Sequence, residues 1–224
     1  MKVSAIIAAG GDANRLGSPK GKQLLQIKGY PLLYYSIKTI RPLVEEVILV
    51  IRPSDIEKAK NIFSHINHNS TNLINKFVKG GNNRLQSVYN ALKVVAPDTD
   101  IVLIHDGARP LVSERIIKES IQAAKEHGAV VTAVPVKDTV KITDSENTIK
   151  NTPDRKFVFA AQTPQTFHYD IIKKAYDTFI DDTTLTDDSS LVEKLGNKVK
   201  IIKGDYLNFK VTTDEDLKLL NIVV

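Results

Sequence analysis

Short runs of apolar residues alternate along the chain with longer stretches in which apolar residues recur every three or four positions. The runs at 3–8 and 101–104 are unbroken enough to predict buried strands. The periodic stretches at 84–95 and 113–127 predict amphipathic helices. Further strands are predicted at 47–51, 77–78, 129–134, 157–161 and 199–203, and further helices at 31–40, 53–66, 169–180, 186–195 and from 213 onward. This alternation indicates an α/β fold with a Rossmann-like, mostly parallel sheet and helices on both faces.

The alternation stops between residues 136 and 154, where the chain is mostly polar. Residues 140–143 and 148–150 can form a β-hairpin around 144–147, but they carry too few apolar side chains to pack alone. We therefore predict a single domain over 1–224 with a protruding arm at 136–154, which needs a partner surface such as a second subunit. A flexible surface loop is the alternative interpretation.

Composition narrows the class of protein. The chain of 224 residues is long enough for a sizeable core, and it has no apolar run of about 18 residues that would predict a membrane span. Met1 leads directly into a strand, so no targeting peptide is predicted. The lack of cysteine excludes disulfides and agrees with a cytoplasmic protein. The formal net charge of +5 is spread along the chain, which favours small polyanionic substrates over nucleic acid.

The loop that follows the first strand combines several glycines with basic side chains. Glycines let backbone N–H groups approach a phosphate closely, and Arg15, Lys20 and Lys22 can neutralise its charge. The pattern matches neither the dinucleotide motif G-x-G-x-x-G nor Walker A. We predict a nucleotide triphosphate site here, with a tight βα connection as the alternative.

A second cluster, at residues 80–87, also follows a predicted strand, where the ligands of open parallel sheets bind. A glycine pair opens a helix there, an Asn can serve as its N-cap, and Arg84 and Ser87 share one face near its start. A ligand at this helix start and a plain capped helix start are both compatible with the pattern.

A third cluster, at residues 105–110, contains an acidic residue at the end of a buried strand. Asp106 is costly there unless it meets a cation, so we predict that it binds Mg²⁺. Arg109 would then bind a phosphate beside the metal. A structural pair between Asp106 and Arg109 is the alternative, and His105 is interpreted as a packed histidine.

The chemistry-bearing segments occur in a fixed order along nearly the whole chain. They are Ala8-Ala9-Gly10 with Arg15 and Lys22-Gln23, Gly80-Gly81 with Arg84 and Ser87, and the stretches 105–110, 135–139, 154–155, 162–165, 186–189 and 210–212. In order and spacing they resemble the 2-C-methyl-D-erythritol 4-phosphate cytidylyltransferase family, which is related to ribitol-5-phosphate cytidylyltransferase.

The resemblance implies transfer of CMP from CTP to 2-C-methyl-D-erythritol 4-phosphate in non-mevalonate isoprenoid biosynthesis, with Mg²⁺ and a homodimer. It implies that Arg15 and Lys22 stabilise the reacting α-phosphate. It also implies that the acceptor or the phosphates are contacted by Arg109, Lys210 and, through an arm swapped between subunits, Thr139 and Arg155. The positions implied to hold CTP are Ala8, Ala9, Gly10, Gly81, Asn82, Arg84, Ser87 and Gly107.

The chain departs from the family pattern in three places. The loop between Gly10 and Arg15 is one residue longer, and Gly21 separates the two lysines, so Lys20 stays the alternative to Lys22 as the catalytic lysine. Leu207 stands where an acidic residue is common. The alternative functions are a ribitol-5-phosphate cytidylyltransferase and, from another class, a non-catalytic nucleotide-binding regulatory protein.

Overall fold

A computed structural model of the chain describes residues 1–10, 22–66, 72–182 and 184–224. The strands in these residues are β1 (Val3–Ala9), β2 (Gln26–Ile27), β3 (Tyr30–Pro31), β4 (Glu46–Ile51), β5 (Lys76–Lys79), β6 (Ile101–Asp106), β7 (Ala129–Pro135), β8 (Ile142–Thr143), β9 (Ile149–Asn151), β10 (Phe159–His168) and β11 (Lys200–Lys203). A seven-stranded sheet has the order β11-β7-β10-β6-β1-β4-β5, and β2–β3 and β8–β9 form separate two-stranded pairs.

The helices cover both faces of the large sheet, which confirms the predicted α/β class. They are α1 (Leu32–Ile40), α2 (Ile56–Ile66), α3 (Arg84–Leu92), α4 (Glu114–His127), α5 (Tyr169–Phe179), α6 (Asp188–Lys194) and α7 (Asp214–Val223). Helices α1, α2 and α4 pack on one face, and α3, α5 and α6 pack on the other. None of the helices in the described residues has both the length and the apolar character that a membrane crossing requires.

The central strands are apolar on both sides because both sides are covered. In β1, Ala5 and Ile7 join the core of the first face, while Ile6 joins the core of the second. In β6, Leu103 joins the core of the first face and Ile104 joins the core of the second. A strand buried on both faces needs an unbroken apolar run, and this explains why the pattern predicted these strands well.

One strand of the large sheet runs against the others, and its extent was predicted wrongly. β10 pairs antiparallel with both β6 and β7, while the other pairings of this sheet are parallel. The sequence predicts a strand only over 157–161. The remainder contains the buried polar residues Gln162, Thr163 and Gln165, whose hydrogen bonds satisfy them inside the sheet. The register shifts between Ala161 and Gln165, and the Thr163–Pro164 peptide bond is cis.

The predicted hairpin of the arm is present. β8 and β9 pair antiparallel, and Ile142 and Ile149 are about half exposed, at 49% and 57%. The arm leaves β7 and returns into β10, and its base is closed by a hydrogen bond of 3.1 Å from the Val136 backbone N–H to the Val158 carbonyl. The hairpin therefore projects from the large sheet where β7 ends and β10 begins.

Side chains cap the starts of several helices. The side chains of Ser113, Asp187 and Thr213 cap α4, α6 and α7 respectively. α2 begins at Ile56, later than predicted, because residues Pro53–Asp55 form a 3-10 turn first. Side-chain caps thus fix where α4, α6 and α7 begin.

Candidate active site

The site lies where the strand order changes direction, at the carboxyl ends of β1 and β6. Chain connections lead from β1 toward β4 and β5 on one side, and later to β6 on the other side of β1. This switch point opens a crevice between two neighbouring strand ends, the usual ligand position in such sheets. The Gly107 N–H donates to the Ala8 carbonyl at 3.0 Å, and the Val211 N–H donates to the Ala108 carbonyl at 2.8 Å. These bonds join three separate segments at the crevice.

Glycines at the crevice allow the start of α3 to approach the end of β1. A Cβ on Gly10 would lie 2.8 Å from the Ser87 hydroxyl oxygen. That hydroxyl accepts from the Gly81 N–H at 3.0 Å and donates to the Asn83 carbonyl at 2.8 Å. Gly10, Gly81 and Ser87, all predicted to hold the nucleotide, therefore lie together.

The capped helix start, which was the alternative interpretation of the second cluster, is present. The Asn83 side chain caps α3 and accepts from the Gln86 N–H at 2.8 Å. Asn82 precedes it and is exposed. A capped helix start presents free backbone N–H groups, so capping and ligand binding are compatible here.

Asp106 is surrounded by three cations. Its carboxylate oxygens lie 3.1 Å from Arg84 Nε, 2.9 Å from Lys210 Nζ and 3.7 Å from Arg109 Nε. Although burial disfavours a charged carboxylate, these three cations hold the pKa of Asp106 well below its ordinary range. Asp106 is therefore ionised at neutral pH. The structural pair with Arg109 is present as an ion pair, although 3.7 Å is too long for a hydrogen bond.

Arg109 is incompletely satisfied by the chain itself. One terminal nitrogen donates to the Asn208 carbonyl at 2.8 Å, but its buried Nε has no hydrogen-bond partner among the described residues. Burial lowers the pKa of the Arg109 guanidinium. An anion at this point would supply the missing acceptor.

His105 holds the turn that carries Asp106 and Arg109. Its Nε2 lies 3.0 Å from the Arg109 carbonyl, which can only accept, so Nε2 carries the proton. Its Nδ1 therefore accepts from the Thr163 hydroxyl at 3.1 Å, and that hydroxyl accepts from the Asp106 N–H at 3.0 Å. Burial lowers the pKa of His105 to about 4, so the ring is neutral at neutral pH. The interpretation of His105 as a packed histidine agrees with this geometry.

Arg84 has a second acidic partner that the sequence did not predict. Its two terminal nitrogens donate to the Asp188 carboxylate at 2.9 and 2.6 Å. Tyr176 donates to the same carboxylate at 2.5 Å, and both Asp188 and Tyr176 are fully buried. The sequence predicts only a helix over 186–195 here, because one acidic residue in a polar run carries no sign of burial.

The remaining predicted residues lie elsewhere or outside the described residues. Thr139 is exposed on the arm, and Arg155 is exposed at its base, where it donates to the Lys137 carbonyl at 2.6 Å. Neither is among the described ionic partners of Asp106. Arg15 and the alternative Lys20 fall outside the described residues. For Lys22 the structure describes the backbone, at the start of the 3-10 turn Lys22–Leu24, and not the side chain.

Comparisons with known proteins agree on one family. A family model described as 2-C-methyl-D-erythritol 4-phosphate cytidylyltransferase matches residues 3–224. Relatives with this name include one from Caldanaerobacter subterraneus subsp. tengcongensis, 46% identical over 97% of this chain and 96% of its own length. Another, from Alkaliphilus oremlandii, is 45% identical over 96% of this chain and 92% of its own length.

Solved structures give the same result for the fold. The crystal structure of 4-diphosphocytidyl-2C-methyl-D-erythritol synthase from Anaerococcus prevotii is similar with a TM-score of 0.86 and 34% identity, covering 99% of this chain and 95% of that one. The 2-C-methyl-D-erythritol 4-phosphate cytidylyltransferase from Thermus thermophilus is similar with a TM-score of 0.79 and 28% identity, covering 100% of this chain and 98% of that one.

Proposed function

The chain belongs to the 2-C-methyl-D-erythritol 4-phosphate cytidylyltransferase family, and we propose that the cluster around Asp106 is the centre of its active site. The enzyme transfers CMP from CTP to 2-C-methyl-D-erythritol 4-phosphate, a step of isoprenoid biosynthesis. The products are 4-diphosphocytidyl-2-C-methyl-D-erythritol and pyrophosphate. The observation that carries the proposed site is the set of three cations at the switch-point crevice.

The reaction needs little acid–base chemistry from the protein. An oxygen of the acceptor's phosphate monoester is already a nucleophile, and it forms a bond to the α-phosphorus of CTP. The bond from that phosphorus to the bridging oxygen breaks, and pyrophosphate leaves with the electron pair. The protein's contribution is therefore to position two anions against each other and to neutralise their charge.

Arg109 and Lys210 are suited to binding anions because phosphates can compete for both. Lys210 is bound to Asp106, while Arg109 has an unpartnered buried Nε among the described residues. We assign both to the acceptor phosphate or the nucleotide phosphates. Arg15 and Lys22 are assigned to the α-phosphate by their positions in the sequence, with Lys20 as the alternative lysine.

Gly10, Gly81 and Ser87 are proposed to line the CTP site. They meet at the start of α3, where backbone N–H groups and the Ser87 hydroxyl can bind polar edges of the nucleotide. The same assignment covers the neighbouring positions implied by the resemblance, which are Ala8, Ala9, Asn82, Arg84 and Gly107.

Asp106 fits a role as the protein ligand of Mg²⁺. Within the described residues, three or more acidic or histidine side chains do not gather into a metal cluster. Mg²⁺ is commonly held by one or two carboxylates together with substrate phosphates, and Asp106 supplies one ionised carboxylate. The ion, when bound, would neutralise charge on the triphosphate.

We further propose one domain, 1–224, that forms a homodimer through the arm at 136–154. The arm and its base expose apolar side chains that their own subunit leaves uncovered, with Ile149 57% and Phe157 76% exposed. In such a dimer, Thr139 and Arg155 would complete the partner's site. The use of CTP and the lack of cysteine support a cytoplasmic enzyme.

A pyrophosphate-release assay tests the proposed reaction. The four ribonucleoside triphosphates are each combined with 2-C-methyl-D-erythritol 4-phosphate or ribitol 5-phosphate in the presence of Mg²⁺. We expect release with CTP and the erythritol phosphate well above every other combination. Preference for ribitol phosphate would overturn the acceptor, and CTP binding without release would favour a regulatory protein.

Mixing two inactive variants tests the shared site. Arg155→Ala and Lys210→Ala proteins are combined and allowed to exchange subunits. If Arg155 acts in the partner's site, about a quarter of wild-type activity returns, because about half of the dimers are mixed and each mixed dimer has one intact site. Mixing without any recovery would place Arg155 in its own subunit's site, and an Arg155→Ala protein that is active by itself would place Arg155 outside the reaction.

A further inference from the structure

The guanidinium of Arg84 is divided between two carboxylates. Both of its terminal nitrogens donate to Asp188, at 2.9 and 2.6 Å, and its Nε donates to Asp106 at 3.1 Å. The paired edge, which matches a carboxylate best, is therefore occupied by Asp188. Asp106 receives a single hydrogen bond from Arg84.

We propose that Asp188 is a positioning residue for the reaction: it holds Arg84 in the orientation that sets both Asp106 and the CTP-binding start of α3. This inference rests on the proposed function, because it gives the Arg84 position a role in nucleotide binding. Asp188 has no contact with Asp106 among its described bonds and acts through Arg84.

Asp188 is itself held rigidly. It is the first residue of α6, and its side chain is fully buried between Arg84 and the hydroxyl of Tyr176, which donates at 2.5 Å. The Tyr176 ring is fully buried and stacks on Tyr89 with ring centroids 6.1 Å apart. The Asp188 carboxylate is therefore held in one orientation, and its two hydrogen bonds fix the orientation of the planar Arg84 guanidinium.

Arg84 connects this support to the nucleotide side of the crevice. It is the first residue of α3, directly after the capping residue Asn83. Ser87 lies one turn further and bonds the Gly81 N–H. The Arg84 side chain is therefore anchored to the same helix start that Ser87 joins to the glycine loop.

Without the Asp188 charge, Arg84 could turn its paired edge toward Asp106. Lys210 Nζ lies 2.9 Å from the Asp106 carboxylate. A bidentate Arg84–Asp106 pair would compete with Lys210 for that carboxylate. The cluster would also lose one of its two negative charges, leaving three cations facing a single carboxylate. Both effects would alter the site that CTP enters.

The test measures CTP affinity by calorimetry together with steady-state kinetics, using Asp188→Asn. We expect the Kd and KM for CTP to rise about tenfold, with the KM for the acceptor nearly unchanged. A merely structural ion pair would lower the melting temperature and leave these constants unchanged. Folded Asp188→Asn protein that binds CTP like the wild type would overturn the inference.

Asp187→Asn is the matched control. Asp187 caps α6 and accepts from Gln165 at 2.7 Å, but its described bonds do not include Arg84. This variant keeps the cap, because Asn caps a helix as well as Asp does, but it should lose stability because an amide nitrogen cannot accept from Gln165. Its CTP affinity should change less than about twofold. An equal loss of CTP affinity in both variants would show that α6 stability alone is responsible.

A double-mutant cycle separates action through Arg84 from other effects. In an Arg84→Met background, Asp188→Asn should cause no further loss of CTP affinity. An equal loss in both backgrounds would overturn the inference. If Asp188→Asn does not fold, Tyr176→Phe keeps the charge and removes one bond, and a rise of about threefold in Kd is expected. An unchanged Kd in Tyr176→Phe would then count against the inference.

Measurements on the wild-type protein separate the proposed function from the positioning role of Asp188. Absence of pyrophosphate release by the wild type would overturn the proposed function. Normal wild-type turnover together with unaltered CTP affinity in Asp188→Asn would overturn the positioning role alone.

Discussion

The ammonium of Lys210 lies 2.9 Å from the carboxylate of Asp106, so the last segment of the chain closes the site built at the end of β6. The adjoining Val211 N–H fixes this approach by bonding the Ala108 carbonyl at 2.8 Å. Val211 is itself buried against Ile27 and Leu220, which ties the closing segment to α7. The packing of Val211 thus holds Lys210 beside Asp106, while the Lys210 side chain stays 42% exposed and accessible to a ligand.

Replacing Lys210 by methionine should lower turnover by about 10²–10³-fold, because the cation that we propose to bind the substrate phosphates is lost. Pyrophosphate release measures the effect. Lys203→Met, an exposed lysine on β11, is the control and should keep wild-type turnover. Equal turnover in Lys210→Met and the wild type would remove Lys210 from the mechanism.

Thr163→Val should destabilise the protein by about 1–3 kcal/mol, because it leaves two buried groups, His105 Nδ1 and the Asp106 N–H, without partners. Urea unfolding measures this free energy. Thr163→Ser keeps the hydroxyl and should retain most of the stability. A valine variant as stable as the serine variant would show that the hydroxyl bonds contribute little.

Gly107→Ala should cost about 1–3 kcal/mol of stability and lower activity, because the added Cβ would clash with the Leu33 side chain in a fully packed core. Thermal unfolding and the release assay measure both effects. Adding Leu33→Ala should make the combined loss smaller than the sum of the two single losses. Strict additivity would mean that the steric clash is relieved elsewhere.

Stability should fall in acid partly through Glu46. Although burial disfavours its charge, bonds from Lys76, the Ala96 N–H and Ser4 lower the pKa of Glu46 below its ordinary value. A lowered folded-state pKa gives stability that is fully present above the unfolded-state value, near 4.5, and is lost as the pH falls through the folded-state value.

Glu46→Gln should therefore be less stable than the wild type at pH 7 and should show a flatter decline below about pH 5. Denaturant unfolding at several pH values measures the two curves. Lys60→Gln, which alters an exposed pair with Glu57, is the control and should follow the wild type. Parallel curves for Glu46→Gln and the wild type would contradict the assignment.

The sequence predicted the layers of this fold because its central strands are apolar on both faces. It predicted the clusters at 80–87 and 105–110 because each follows a predicted strand, and the structure brings Gly81, Arg84 and Asp106 to one crevice. It did not predict the buried polar part of β10, since Gln162 and Thr163 resemble loop residues until their partners are known. A local sequence pattern cannot show that groups far away in the chain will satisfy the hydrogen bonds of these side chains.

The same limit explains why Asp188 and Tyr176 were missed. Their link to Arg84 joins α3, α5 and α6, and each residue is ordinary within its own segment. A tyrosine at a helical core position predicts packing alone. Only the structure shows that the Tyr176 hydroxyl donates to the Asp188 carboxylate, which is paired with Arg84.

The reversed direction of β10 has a consequence for how this enzyme can change. Since β7 ends and β10 begins at the same margin of the sheet, the intervening ribbon is attached there by both of its ends. Residues can be gained or lost at its tip without sliding either strand past its neighbours. Evolution can therefore change the length of this ribbon, and with it the proposed contact between subunits, while the groups around Asp106 keep their positions.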